Sequence, residues 1–181
     1  MRLRRLCITL ALILLWSGTG WPPARGAGPA TRPLGPGALF ASEVAKATAS
    51  DGAAGDEFGY SVSLSGDTAV VGAWRAKVGT HQDQGAAYVF YRNQGGTDQW
   101  GQMAKLTAAG GATPDHFGLS VSISGDVAMV GAPTASIGGN FSQGAAYIFY
   151  RNQGGADHWG QVRQITSTDG VVGDSFGYSV S

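Results

Sequence analysis

One cysteine, Cys7, stands in 181 residues, and it lies inside the N-terminal apolar run. Beyond that run there is no thiol, which excludes disulfides and cysteine metal sites from the rest of the chain. Charge is scarce as well, at 13% of residues. The 12 basic and 12 acidic residues balance, but Arg2, Arg4, Arg5 and Arg25 fall in the first 26 positions, where there is no acid. Without that segment 8 basic residues face 12 acidic ones, a net charge of −4. A mildly acidic chain with no basic stripe is poorly matched to a phosphate backbone, which argues against nucleic acid as a partner. After residue 40 no apolar run recurs at helical spacing between caps. The Gly-rich runs lead into no helix, so no phosphate loop is expected. No Gly-x-Ser-x-Gly elbow is expected, and no serine is paired with a base as a hydrolytic triad requires. What the chain has in abundance is glycine, 30 residues of it, together with much Ala and Ser. Such a composition suits tight turns and small-residue strands.

Met1 to about Gly26 reads as a secretory signal. Arg2, Arg4 and Arg5 supply the positive start, Leu6 to Trp16 the apolar centre, and small residues follow. The run is well short of the roughly 20 apolar residues a membrane-spanning helix needs. Ala24-Arg25-Gly26 offers small residues at both positions a signal peptidase reads, and a cut after Gly20 is the alternative. Arg4-Arg5 lacks the flanking residues of a twin-arginine signal, and Cys7 precedes the apolar centre rather than following it, against a lipoprotein anchor. The expected location is therefore secreted, extracellular or at the cell surface, and periplasmic in a Gram-negative cell. Residues 27–42 are rich in Gly, Ala and Pro and read as a flexible spacer.

The remainder is organised by a repeat. Phe58-Gly59-Tyr60-Ser61-Val62-Ser63-Leu64-Ser65-Gly66-Asp67-Thr68-Ala69-Val70-Val71-Gly72-Ala73 returns from Phe117 to Ala132, and begins again at Phe176-Gly177-Tyr178-Ser179-Val180-Ser181, with an offset of 59 each time. Ala45-Lys46-Ala47-Thr48 aligns with Ala104-Lys105-Leu106-Thr107 at the same offset. The units are 43–57 (last strand of a preceding blade and linker), 58–116, 117–175, and 176–181 (start of a further blade). Each full unit reads as four strands, in the first about Tyr60–Ser65, Thr68–Ala73, Ala86–Arg92 and Gly101–Thr107. Period-two alternation marks the first strand. Gly66-Asp67 forms a two-residue hairpin, and Asn93-Gln94-Gly95-Gly96 a second turn. Four antiparallel strands in tandem copies fit an all-β, β-propeller architecture, whose inner strands crowd together and favour Ser, Gly and Ala. Propellers have four to eight blades. Two full blades are expected to be a fragment of a longer propeller, or to close a ring with blades from another chain.

Phe58-Gly59 with Gly72-Ala73, Phe117-Gly118 with Gly131-Ala132-Pro133, and Phe176-Gly177 resemble the FG-GAP repeat family, found in integrin α subunits and secreted bacterial proteins. Trp74 stands where the first copy would carry proline. The resemblance covers roughly residues 43–181 and implies a non-catalytic binding or adhesion module whose rim carries ligand recognition. The calcium loop of integrin repeats does not carry over. Here that loop is only Ser65-Gly66-Asp67-Thr68 or Ser124-Gly125-Asp126-Val127, with one carboxylate each, where calcium takes six to eight oxygens. No cofactor or metal is expected.

Asp67 and Asp126 read as turn residues, and Asp56, Asp115 and Asp174 as caps of the loop before Phe-Gly. Asp51 recurs as Asp169, while the middle copy has Gly110. His81, His116 and His158 do not repeat, against a histidine metal cluster. Trp100 and Trp159, at a fixed blade position, read as packing between blades rather than as a sugar platform. Binding is expected where the copies diverge between near-identical strands, in Trp74–Gln84 and Pro133–Gln143. The candidate contacts are Arg75, Lys77, His81, Asp83, Asn140 and Phe141, and the expected ligand is an extracellular protein or glycan. Asn140-Phe141-Ser142 is also a glycosylation sequon. The alternatives are an accessory propeller of an exported enzyme, or a purely structural surface protein.

Overall fold

The computed structural model describes residues 43–181, so the expected signal segment (1–26) and spacer (27–42) lie outside the described residues. Eight strands make two sheets: β1 (Ser61–Ser65), β2 (Thr68–Ala73), β3 (Ala86–Tyr91) and β4 (Gly101–Leu106), then β5 (Ser120–Ser124), β6 (Val127–Ala132), β7 (Ala145–Tyr150) and β8 (Gly160–Ile165). Each sheet is antiparallel in sequential order, β1-β2-β3-β4 and β5-β6-β7-β8. No helix occurs among the described residues. These are two propeller blades, and they do not close into a ring among the described residues.

The turns follow from their residues. Gly66 and Gly125 take φ 56° at the first position of the two-residue β1–β2 and β5–β6 hairpins, where a type II′ turn requires a positive angle. Arg92 donates its backbone N–H to Asp67 O, and its guanidinium pairs with Asp67 and Asp98 at 3.3 and 2.8 Å. Asp126 likewise accepts the Arg151 backbone N–H at 2.9 Å, so Asp67 and Asp126 are both turn residues. Pairing shifts by one residue between Val89 and Phe90, and again between Ile148 and Phe149. Each shift leaves an unpaired residue in the outer strand, Met103 or Val162, and adds local twist.

The blades stack face to face. One buried cluster joins Val70, Val89 and Leu106 of the first blade to Phe117, Val121, Ile123, Val130, Tyr147 and Phe149 of the second. At the inner strands the serine face of β1 meets the apolar face of β5. Ser61 Oγ donates to Gly118 O at 2.9 Å, Ser63 Oγ accepts the Ile123 N–H at 3.1 Å, and Ser65 Oγ accepts the Gly125 N–H at 3.0 Å. Val121 and Ile123 are therefore 8% and 7% exposed, whereas Val62 and Leu64 on the other face of β1 remain 43% and 41% exposed. Gly72 is what allows the close approach: a Cβ there would collide with Gly118 O and Ser61 Oγ. Just past β7, Arg151 reaches across to the first blade, donating to Thr68 Oγ1 at 2.8 Å with its guanidinium 4.9 Å from the Tyr91 ring centre and 5.4 Å from that of Trp159. Arg151 Nε lies 3.0 Å from Asp126 Oδ1, an ion pair without hydrogen-bond geometry. Trp159 Nε1 donates to Tyr91 OH at 3.0 Å, so this repeated tryptophan is an inter-blade clamp.

Candidate functional site

One edge of the stack carries the two loops in which the copies differ between otherwise similar second and third strands. The loops joining β2 to β3 and β6 to β7 each fold into a small hairpin, bridged at Val78–His81 and Ile137–Asn140. Each loop is stitched to the linker that enters the next blade. His116 and Phe117 donate N–H groups to Asp83 O and Gln84 O at 3.2 and 2.9 Å; Gly173, Ser175 and Phe176 do the same to Phe141 O, Ser142 O and Gln143 O at 3.0, 3.0 and 2.8 Å. Loops and linkers therefore form one continuous rim. Within each linker the aspartate closes a short turn: Asp56 accepts the Ala53 N–H at 2.8 Å, Asp115 that of Ala112 at 2.6 Å, and Asp174 that of Val171 at 2.7 Å. Phe58 and Phe117 then anchor each linker edge-on against the third strand, Phe58 on Tyr88 and Phe90, Phe117 on Tyr147 and Phe149, with ring centres 5.4–6.0 Å apart.

The six candidate contacts are not equivalent in space. Lys77 and His81 are exposed, and Phe141 is 72% exposed, a large apolar ring held out at a loop tip. Arg75 and Asp83 spend part of their charge on each other at 3.3 Å. Asn140 faces inward: its amide donates to Gln143 Oε1 at 3.0 Å and to Gly170 O at 3.2 Å. That amide nitrogen, which a glycan would need, is committed to holding the loop on the linker.

Residues outside the candidate set join the same surface. His116 lies edge-on to Trp74 at 4.6 Å, and Arg75 covers the Trp74 ring at 5.2 Å. Burial holds the His116 imidazole below its usual range, with Asp83 and Arg75 pulling in opposite directions. Trp74 Nε1 is buried without a partner among the described residues. Gln84 and Gln143 are buried beneath the loops, and Gln143 Nε2 donates to Ser167 O at 3.1 Å. The two glutamines could have been found from their sequence, since both copies keep them at the end of loops that otherwise differ. Trp74 and His116 carry no such signal, because each stands where the other copies have a different residue.

Contrary to the expectation that no Gly-x-Ser-x-Gly elbow is present, Gly173-Asp174-Ser175-Phe176-Gly177 has that spacing. The geometry is not that of an elbow, which joins a strand to a helix. The segment is a linker, and Ser175 shares its left-handed backbone, φ 57°, with Glu57 and His116 at the equivalent places of the other copies. Its hydroxyl donates to Gly173 O at 3.4 Å. The unusual φ belongs to the repeat. Among the described residues, no three His, Cys, Asp or Glu side chains come together as a metal site would need.

The FG-GAP repeat profile matches residues 41–90 and again 100–149, together more than half of the chain. The chain belongs to the FG-GAP repeat family. Its Phe-Gly pairs are the linker anchors described above, and its Gly-Ala steps end β2 and β6, where the blades approach most closely. No match was found among curated proteins.

Proposed function

We propose that this FG-GAP chain is an exported, non-catalytic recognition module that holds an extracellular protein or glycan against its rim. The observation that carries the reading is the gathering of divergence on one surface. Strands β1–β3 and β5–β7 are near copies, while the two loops and linkers stitched along one edge differ in charge and shape. A rigid scaffold with variable loops is the usual platform for binding. Phe141, Lys77 and His81 project from that edge, and the Arg75–Asp83 pair beside Trp74 presents a polar, partly aromatic patch. The Arg-rich start and apolar centre of the first residues support export.

The test is an array of extracellular proteins and glycans probed with the purified protein. Binding to at least one ligand, reduced by Phe141→Ala and Lys77→Ala but not by changes on the opposite edge such as Asp126→Asn, supports the reading. Hydrolysis of a bound ligand, abolished by substitution within the blades, would overturn the non-catalytic assignment. An array on which nothing is held would overturn recognition itself.

A further inference from the structure

The two blades differ at one corner beneath their loops, between linker, third strand and fourth strand. In the first blade Asp51 accepts the Tyr88 hydroxyl at 2.9 Å and the Lys105 ammonium at 2.6 Å, so an ion pair fills the space between linker, β3 and β4. In the second blade the equivalent residues are Gly110, Tyr147 and Gln164, and Ser136 stands in place of Lys77. Three side chains shrink or lose charge together. A cavity of about 480 Å³ opens there, lined by Gly110, Asp115, Ser136, Tyr147, Gln164 and Thr166 among others. That volume falls within the roughly 300–1,000 Å³ of small-molecule sites.

The hydrogen bonds around this cavity are incomplete. Tyr147 is 3% exposed, and its hydroxyl accepts from Gln164 Nε2 at 3.2 Å. Unlike that of Tyr88, its own proton has no acceptor among the described residues. Burial raises its pKa to about 12, so it stays a donor at neutral pH. Asp115 is 6% exposed and spends Oδ2 on the Ala112 N–H, leaving Oδ1 without a donor among the described residues. Asp115 Oδ1 is not among the buried polar atoms without a partner, so it opens onto the cavity, where a ligand can reach it.

We propose that this cavity binds one unit of a neutral sugar. Its occupant accepts from Tyr147, as the Asp51 carboxylate does from Tyr88, and donates to Asp115. A carboxylate or phosphate would place negative charge beside Asp115 with no lysine to meet it, because Gln164 replaces Lys105. An ammonium group would suit Asp115 but offers nothing to the Tyr147 proton. A ring bearing several hydroxyls provides donors and acceptors together. The inference rests on the rim-recognition reading, since Ser136, Ile137 and Gly138 belong to the β6–β7 loop.

The experiment is an NMR titration of amide resonances with glucose, galactose, mannose and N-acetylglucosamine, with glucuronate and glucosamine alongside. At least one neutral sugar is expected to shift the Gly110 and Gly138 amides saturably. Tyr147→Phe should weaken that binding about tenfold, the scale of one hydrogen bond. Ser136→Trp, at an exposed position on the mouth, should abolish it without disturbing the fold, and Tyr88→Phe in the filled corner should leave it unchanged. Shifts by glucuronate or glucosamine alone, shifts indifferent to Ser136→Trp, or none at all would overturn the proposal. Absent sugar shifts with array binding still lost on Phe141→Ala would sink the pocket and spare the rim reading. Sugar shifts with an array indifferent to every rim substitution would do the reverse.

Discussion

Gly72 and Gly131 show how much of this structure depends on single atoms that are missing. A Cβ at Gly72 would overlap the Gly118 carbonyl oxygen and Ser61 Oγ, and one at Gly131 would overlap Gly177 O and Ser120 Oγ. Both obstacles include backbone of the next repeat, which can move only if the blades separate. Gly72→Ala should therefore cost about 3 kcal/mol, at the upper end of ordinary overpacking, as read by urea unfolding. A loss under about 0.5 kcal/mol would mean the inner strands are not in contact there. His116 makes a different kind of prediction. Burial keeps its imidazole neutral, with a pKa below the ordinary 6.5. In the unfolded chain the same group takes up its proton near 6.5, so between that value and its lower folded pKa the unfolded state binds more protons. Its contribution is retained above pH 6.5 and lost as pH falls through the folded value. His116→Gln should flatten the fall in stability on acidification, and an unchanged slope would contradict the burial argument. Comparing the two proteins separates this share from that of Asp115, whose carboxyl is pushed up, chiefly by burial.

Strands β1 and β5 have nearly the same sequence and unlike surroundings. Ile123 is buried against the serines of β1, while Leu64, its counterpart, stays exposed. Ile123→Ala should cost about 2–4 kcal/mol and Leu64→Ala under about 1 kcal/mol, measured by denaturant unfolding. Equal costs would mean the two strands meet equivalent neighbours. This contrast also marks the limit of what the sequence makes legible. Alternation of Ser with Val, Leu or Ile announces a strand with two unlike faces, and the hairpins at Gly66 and Gly125 set its ends to within a residue. Which face is covered depends on the direction in which one blade leans on the next, and that is a property of two elements together. The divergent loops were legible as insertions between matched strands, but their inner hairpins were not. The inward turn of Asn140 was hidden for a similar reason, because its partners, Gln143 and Gly170, lie in a loop and a linker that meet only after folding. The substitution of Gly110 for Asp51 is visible in the letters. That it opens a cavity follows only from the position of Tyr147.

The two blades form one structure because each supplies what the other's face lacks. Serine oxygens of β1 take up backbone N–H groups of β5 and the turn after it, Phe117 and Val121 pack with Val70 and Val89, and Arg151 with Trp159 closes on Tyr91. This stacking fixes the rim, since the loops of one blade hydrogen-bond to the linker of the next. Backbone amide hydrogen exchange followed by NMR tests it directly, because the Ile123 and Gly125 N–H groups are held by Ser63 and Ser65 across the gap between blades. These amides should exchange slowly in the native protein and about tenfold faster in Ser63→Ala and Ser65→Ala respectively, the effect of losing one hydrogen bond. Leu64 and Gly66, at the matching places of β1, should exchange fast throughout. Ile123 and Gly125 exchanging as fast as Leu64 and Gly66 in the unaltered protein would contradict the stacking of the blades.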